Sequence, residues 1–286
     1  MKKYLTTLLA AMIAYGLIAP AGVSAETASP RTYCRFVPER QDDFAWENDK
    51  VAFRVYGPAL RSKPENSGID CWTKSVSYPI VDKWYKQREY HQDHGEGCDM
   101  YHVGASAGCG GSALWLNGKR EPLETYVKQE VLLCTPEKSS FKLTYEREID
   151  GTVYGEERTF TIGMGTQLFE VHSVFTKNGT PAADLPVCVG VTTHGGKAHP
   201  TSNKEKGWIA CGETSRQIWM GTAALMNPSR IDEIKVVESE DKDVGHILIL
   251  CHTDANGAID YKAGFAWGKA GEIKDDAQWE AYLNKQ

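Results

Sequence analysis

Alternation of apolar and polar residues, broken by Asp-Gly and Asn-Gly pairs, is the feature that most restricts the fold of this chain. Residues 51–56 and 141–146 each place apolar side chains on one face and mostly polar ones on the other, as half-buried strands do. Asp-Gly or Asn-Gly pairs stand at 150–151, 178–179 and 256–257. These pairs favour the tight turns of antiparallel hairpins. Further strands are predicted at 167–176, 185–193, 217–222, 246–252 and 258–267.

A helix is predicted at the C-terminus, where Asp275 can cap the first turn and Gln278 is its capping-box partner. Trp279, Tyr282 and Leu283 share one face, which should pack on a sheet. No repeat or linker divides residues 26–286, and about 260 residues suit one large β-domain. The sequence therefore predicts a mainly β protein, a single large antiparallel β-sandwich with a short C-terminal helix.

The first 25 residues predict a cleavable signal peptide. Lys2 and Lys3 precede an apolar run, and Val23-Ser24-Ala25 fits the small-x-small cleavage pattern. The mature form is expected to be periplasmic or secreted, without a membrane anchor. Its formal charge becomes −8, the whole-chain value of −6 less the two lysines. An acidic chain without a basic stripe is a poor match for nucleic acid.

Eight cysteines in an oxidising compartment permit disulfides, but their pairing cannot be read from the sequence. No C-x-x-C pair points to zinc, and neither a Walker loop nor a dinucleotide fingerprint occurs. We therefore expect no zinc cluster and no cofactor, and we assign no metal ligands.

The segment from Trp84 to Gly111 is the densest in reactive groups, with three histidines, three tyrosines and six glycines in 28 residues. Three interpretations remain open: the floor of a sugar-binding active site, a metal site, or an ordered Gly-rich loop without chemistry. Under the first, the candidate catalytic residues are His91 or His94 as base and Tyr101 as acid. The candidate substrate-binding residues of this segment are Trp84, Tyr85, Glu96 and Asp99.

A second cluster, residues 35–48, together with Arg54 on the next predicted strand, mixes arginines, carboxylates and aromatics as a carbohydrate subsite does. An arginine can pair with a uronate carboxylate, and tryptophan offers a flat face to a sugar ring. The alternative is a surface strand with charge pairs and one buried tryptophan. His194, followed by two glycines, is a further ligand-binding candidate. The candidates of the cluster are Arg35, Arg40, Asp43, Trp46, Glu47, Asn48 and Arg54.

Three stretches of the chain resemble a bacterial family known as domain of unknown function 4861, found with polysaccharide-degradation systems. They are RFVPERQDDFAWENDKVAFRVYGPAL, the segment YHQDHGEGCDMYHVG with GCGGSALWLNGK, and YKAGFAWGKAGEI with WEAYL. The resemblance implies a galactose-mutarotase-like or lyase-like supersandwich. It also implies work on plant or algal oligosaccharides that contain uronic acids.

The resulting hypothesis is a carbohydrate-active enzyme that removes a proton beside a uronate carboxylate and eliminates a substituent, a lyase or dehydratase. This chemistry needs a cation for the carboxylate, a base for the proton and an acid for the leaving oxygen. Two alternatives stay open. One is a non-catalytic sugar-binding protein, and the other is a mutarotase-like epimerase that uses one histidine and one carboxylate.

Overall fold

The computed structural model describes residues 29–87 and 89–286, so the predicted signal peptide lies outside the described residues. The described chain forms nineteen strands and two short α-helices. The elements are β1 (Tyr33–Val37), β2 (Asp43–Glu47), β3 (Ala52–Val55), β4 (Asp70–Lys74), α1 (Val81–Lys86), β5 (Gly97–Asp99), β6 (Cys109–Leu116), β7 (Lys119–Glu121), β8 (Lys128–Cys134), β9 (Lys138–Ile149), β10 (Thr152–Gly163), β11 (Leu168–Lys177), β12 (Thr180–Pro181), β13 (Pro186–Thr192), β14 (His199–Asn203), β15 (Trp208–Ser215), β16 (Ile218–Met226), β17 (Glu233–Val237), β18 (His246–His252), β19 (Ala258–Trp267) and α2 (Asp276–Leu283).

The strands form three sheets in which neighbouring strands run antiparallel. The N-terminal sheet has the order β1-β2-β3-β4-β5. The large sheet has the order β14-β15-β16-β19-β11-β10-β9-β8, with β12 paired to β11. The third sheet has the order β17-β18-β13-β6-β7. One apolar core takes side chains from all three sheets, among them Phe53, Phe169 and Val189. The predicted antiparallel β-sandwich class is confirmed.

The central hairpin shows how local sequence specifies this fold. In β9 the inward residues Phe141, Leu143 and Tyr145 are buried and alternate with half-exposed polar ones. The Asp150-Gly151 turn joins β9 to β10, and both of its residues adopt positive φ, 49° and 77°. Because side chains alternate every residue, this turn also fixes which face of both strands meets the core.

The prediction that residues 51–56 form a half-buried strand was wrong for one face. Every residue of β3 is buried, including Ala52 and Arg54, which were predicted to face outward. The cause is a small second core in which Ala52 packs with Trp72 and with Trp84 from α1. A sequence pattern of period two cannot reveal a helix that later covers the polar face.

The C-terminal helix lies where it was predicted. The Asp275 carboxylate accepts a hydrogen bond from the Gln278 backbone N–H at 2.8 Å, which caps α2. Trp279 and Leu283 are buried against the large sheet. None of the helices in the described part of the chain is both long and apolar enough to cross a membrane. The eight cysteines all carry free thiols here.

Candidate functional site

The N-terminal cluster proposed as a sugar subsite is mostly structural. Trp46 is fully buried among aromatic rings, with centroids 5.1 Å from Phe141 and 5.4 Å from Phe53. Glu47 is also fully buried, accepts hydrogen bonds from the first backbone N–H groups at α1 and pairs with Lys74 at 2.7 Å. Asn48 donates to two backbone carbonyls of the β10–β11 loop. These three residues do not reach a ligand, so their substrate-binding assignment is corrected.

The charged residues of the same cluster pair with one another. Arg35 contacts Glu39 and Asp82, both at 2.6 Å, on the surface. Arg40 lies 3.0 Å from Asp43, whose side chain is buried. Burial raises the pKa of Asp43 to about 6, against the opposing effect of nearby arginines. Because Arg35 and Arg40 both pair with carboxylates of the protein, neither presents an unpaired guanidinium to a uronate.

Arg54 lies at the centre of a buried charge network instead of a binding surface. Its Nη2 atom contacts the carboxylates of Asp70 and Asp99, the latter at 3.1 Å. Burial, together with the negative charge of Asp70, raises the pKa of Asp99 to about 8. Burial also raises the pKa of Asp70. Arg54 and Asp99 are therefore removed from the substrate-binding candidates, because their partners lie inside the protein.

The raised pKa of Asp99 predicts a pH-dependent stability. The pKa of Asp99 is near 4 in the unfolded chain and about 8 in the folded protein, so between these pH values only the folded protein binds a proton at Asp99. The stabilisation that this proton gives is complete below pH 4 and is lost as the pH rises through 8. Relative to Asp99→Asn, the wild type should lose up to about 1.4 kcal/mol of unfolding free energy per pH unit in this window. Urea denaturation at pH 5, 6, 7 and 8 measures the slope. Glu205→Gln, on an exposed loop, should keep the wild-type slope; equal slopes for the wild type and Asp99→Asn would contradict the assignment.

The loop that carries His91 and His94, residues 89–96, which we call the His-rich loop, lies on the surface. His91 has a side chain 61% exposed, and its Nδ1 atom lies 3.1 Å from the Asp99 carbonyl oxygen. His94 is exposed. Glu96 is held by Lys83, Tyr78 and the Trp84 indole N–H. The loop residues thus interact with the protein itself, which supports the interpretation of an ordered loop over a catalytic one.

The two aromatic residues of α1 are packing residues. Trp84 stacks on Trp72 at a centroid distance of 5.6 Å and is buried. Tyr85 packs against Trp72 at 4.8 Å, and its hydroxyl is buried without a hydrogen-bond partner. Their assignment to a sugar-binding surface is corrected, because both rings pack against Trp72. Within residues 29–87 and 89–286, no three His, Cys, Asp or Glu side chains converge as metal ligands.

Reactive side chains converge instead in a cleft of about 170 Å³ at one end of the sandwich, which we call the histidine cleft. Four segments form it: the residues after β5, the loop after β13, the β15–β16 hairpin and the loop before β18. Its reactive lining residues are Tyr101, His102, His194, Lys197, Glu213 and Lys242.

His102 has the contacts of an oriented base. Its Nε2 atom lies 2.6 Å from Asp243 Oδ1, and its Nδ1 atom lies 3.4 Å from Lys242 Nζ. Because a carboxylate accepts and an ammonium donates, these contacts place the proton on Nε2 and the lone pair on Nδ1. The hydrogen bond from His102 lowers the pKa of Asp243, although partial burial acts in the opposite direction. The imidazole is 35% exposed, so Nδ1 can meet a ligand.

His194 and Glu213 hold a proton between them. His194 Nε2 lies 2.7 Å from the carbonyl oxygen of His102, which can only accept, so Nε2 carries a hydrogen. His194 Nδ1 lies 2.7 Å from Glu213 Oε1, and one proton must lie between these two atoms. Glu213 lines the cleft and can therefore donate to a ligand the proton that it shares with His194.

The backbone at His194 is unusual for a histidine. It adopts positive φ, 49°, and Gly195 and Gly196 continue in the same region. A Cβ atom at Gly195 would lie 2.5 Å from the Glu240 carbonyl oxygen, so glycine is needed for the two loops to touch. Such backbone strain clusters at functional sites.

Tyr101 lines the cleft with its ring, which meets the His194 ring edge-on at 4.8 Å. Its hydroxyl points away, since it is buried without a hydrogen-bond partner, and burial raises its pKa well above the usual range. Tyr101 is therefore a poor acid for a substrate oxygen. The structure places the predicted ligand residue His194 in the cleft but leaves His91 and His94 outside its lining.

Sequence reasoning missed Glu213, Asp243 and the two lysines. Asp243 and Lys242 lie in an acidic run, residues 238–243, that carries no motif, and Glu213 lies in a hairpin without any motif. His102 was grouped with the titratable residues of the loop but was not selected as the base. The partners of His102 and His194 are 141 and 19 residues away, so no local pattern could have paired them.

Comparisons with known proteins show which family the chain matches and a relative to which it is similar. Residues 20–286 match the family described as domain of unknown function (DUF4861). The uncharacterized protein P7 of Formosa agariphila is 34% identical over 270 residues, which are 88% of this chain and 66% of that protein. The chain thus spans about two thirds of the length of that relative.

Two solved structures resemble the chain more remotely. A candidate aldose 1-epimerase from Klebsiella pneumoniae superposes with a TM-score of 0.40 and 10% identity, over 85% of this chain and 82% of that one. The GH36 α-galactosidase AgaB of Geobacillus stearothermophilus superposes with a TM-score of 0.37 and 7% identity, over 82% of this chain and 40% of that one.

Proposed function

This chain belongs to the DUF4861 family, and from that premise we propose that it is an exported enzyme acting on uronate-containing oligosaccharides by β-elimination. The observation that carries the proposal is the convergence, in one cleft, of an oriented base, a proton-holding pair and two lysines. The family resemblance supplies the class of substrate. Export rests on the signal-peptide prediction for residues 1–25.

The cleft residues match the three requirements of an elimination. Lys197 and Lys242 can bind the uronate carboxylate and stabilise the negative charge that develops when C5 loses its proton. When Lys242 moves from His102 Nδ1 to the substrate carboxylate, the freed Nδ1 takes the C5 proton while Asp243 stabilises the imidazolium that forms. Glu213 donates the proton that it shares with His194 to the departing O4 oxygen. A C4–C5 double bond forms as the C4–O4 bond breaks.

One alternative is favoured by a specific observation. His194 and Glu213 supply one histidine and one carboxylate, the two groups that a mutarotase-like epimerase needs at an anomeric centre. Under that mechanism the lysines bind the substrate but stabilise no carbanion, and the product keeps the mass and saturation of the substrate. The third hypothesis, a sugar-binding protein, requires the cleft but predicts no change in the ligand.

A direct assay separates these functions. The protein is incubated with a panel of uronate-containing oligosaccharides, and the new absorbance of a conjugated double bond is followed together with product mass. Elimination predicts the absorbance and an unsaturated product. Change at the anomeric centre without absorbance would support the epimerase, and unchanged ligands that still bind would support the binding protein.

A further inference from the structure

A second and larger cavity, of about 600 Å³, lies beside the histidine cleft on the outer face of the third sheet, and we call it the Trp115 cavity. Asp243 lines the cavity, and its carboxylate bonds His102, which lines the cleft. The cavity and the cleft are therefore neighbours, linked through the hydrogen bond between His102 and Asp243.

Arg120 is the unusual residue of this cavity. Its guanidinium donates to the carbonyl oxygens of Ala105 and Ser106 and to the Ser67 hydroxyl, at 3.0, 3.1 and 3.3 Å. Its Nε atom has no partner, and no carboxylate of the described residues forms an ion pair with it. Burial lowers the pKa of Arg120 to about 10, so it remains charged at neutral pH. Because this half-buried cation contacts only neutral oxygens, binding of an anion would stabilise it.

The acidic residues that line the cavity, Glu121, Glu124 and Asp243, form no ion pair with Arg120. Arg147 is engaged with Glu121 and Glu124, at 3.5 Å each. Asp243 is engaged with His102. The exposed Lys119 adds a second positive charge at the rim. The cavity thus has two cations, Arg120 and Lys119, that form no ion pair with its carboxylates, which pair with other residues.

The neighbour of Arg120 in the sheet supplies a surface for a sugar ring. Trp115 on β6 lies directly opposite Arg120 on β7, and both side chains are half-buried. A partly exposed indole presents a flat apolar face, which suits the C–H face of a pyranose. Asn66, also in the lining, can bond hydroxyl groups.

We propose that the Trp115 cavity is a subsite for a uronate unit, whose carboxylate binds Arg120 and whose ring stacks on Trp115. The choice of ligand rests on the proposed function, but the binding does not require turnover.

The test uses full-length mature protein carrying Lys242→Gln, which removes a cation from the histidine cleft and so reduces ligand binding there. This protein is titrated with D-glucuronate, D-glucose and sodium sulfate by calorimetry. Glucuronate should bind, and adding Arg120→Gln should weaken it at least about tenfold, since bonds to charged groups contribute about 1.5–3 kcal/mol. Trp115→Leu should weaken the binding of glucuronate but leave the affinity for sulfate unchanged, because sulfate has no ring to stack on the indole. Arg230→Gln, an exposed arginine outside the cavity lining, should change neither.

Several results would overturn the subsite. These are glucuronate affinity unchanged by both Arg120→Gln and Trp115→Leu, glucose binding as tightly as glucuronate, and no glucuronate binding at all. Melting curves without ligand show whether each variant folds, and Trp115→Leu keeps the test valid if Arg120→Gln does not. Failure of the elimination assay with intact Arg120-dependent binding would reject the proposed function and leave the subsite standing.

Discussion

Replacing His102 by glutamine should lower turnover of an acidic oligosaccharide by about a hundredfold or more, the usual contribution of a general base. Glutamine is close to histidine in size and still donates a hydrogen bond, but it cannot take a proton. The loss should therefore fall on kcat, with substrate affinity little changed. Steady-state kinetics on any substrate that the wild type converts would measure the effect.

His94→Gln is the matched control, because it makes the same exchange on an exposed loop outside the cleft lining. It should keep wild-type turnover. Glu213→Gln should lose activity as His102→Gln does, since it interrupts the proton shared with His194. If His94→Gln loses turnover while His102→Gln keeps it, the base lies in the His-rich loop, as the sequence analysis first proposed.

The fold was largely predictable because its signals are local. The alternation at Phe141, Leu143 and Tyr145 and the Asp150-Gly151 turn each act within a few residues, and so does the Asp275 cap of α2. Helix α1 was not predicted. It is six residues long, too short to form without tertiary support, and buried Glu47 accepts hydrogen bonds from its first N–H groups.

The candidate site was predicted less well, since composition does not distinguish a ligand surface from a buried polar core. Arg54, Asp99 and Trp46 are residue types that bind sugars, yet here they pair and pack inside the protein. His194 was identified through its following glycines, which accompany a strained backbone. Asp243 could not be assigned from the sequence, because an acidic run looks the same whether it is solvated or oriented toward a histidine.

Trp46→Ala should cost about 3–5 kcal/mol of unfolding free energy, the range for removing a large aromatic side chain from a close-packed core. Sequence reasoning placed this residue in a cleft, where truncation would weaken sugar binding and leave stability almost unchanged. The structure instead surrounds the indole with Phe53, Phe141, Phe160 and Phe169 at centroid distances of 5.0 to 5.5 Å. A cavity at this position cannot collapse without moving strands from two sheets.

Trp46→Phe should cost much less, because phenylalanine keeps one ring in place and the indole N–H that is lost has no hydrogen-bond partner. Val236→Ala, at a side chain 45% exposed, is the control for truncation without burial and should stay within about 0.5 kcal/mol of the wild type. Urea unfolding followed by tryptophan fluorescence and circular dichroism measures all three. A loss below about 1 kcal/mol for Trp46→Ala, accompanied by weaker binding of acidic oligosaccharides, would return Trp46 to the ligand surface and contradict the packing described here.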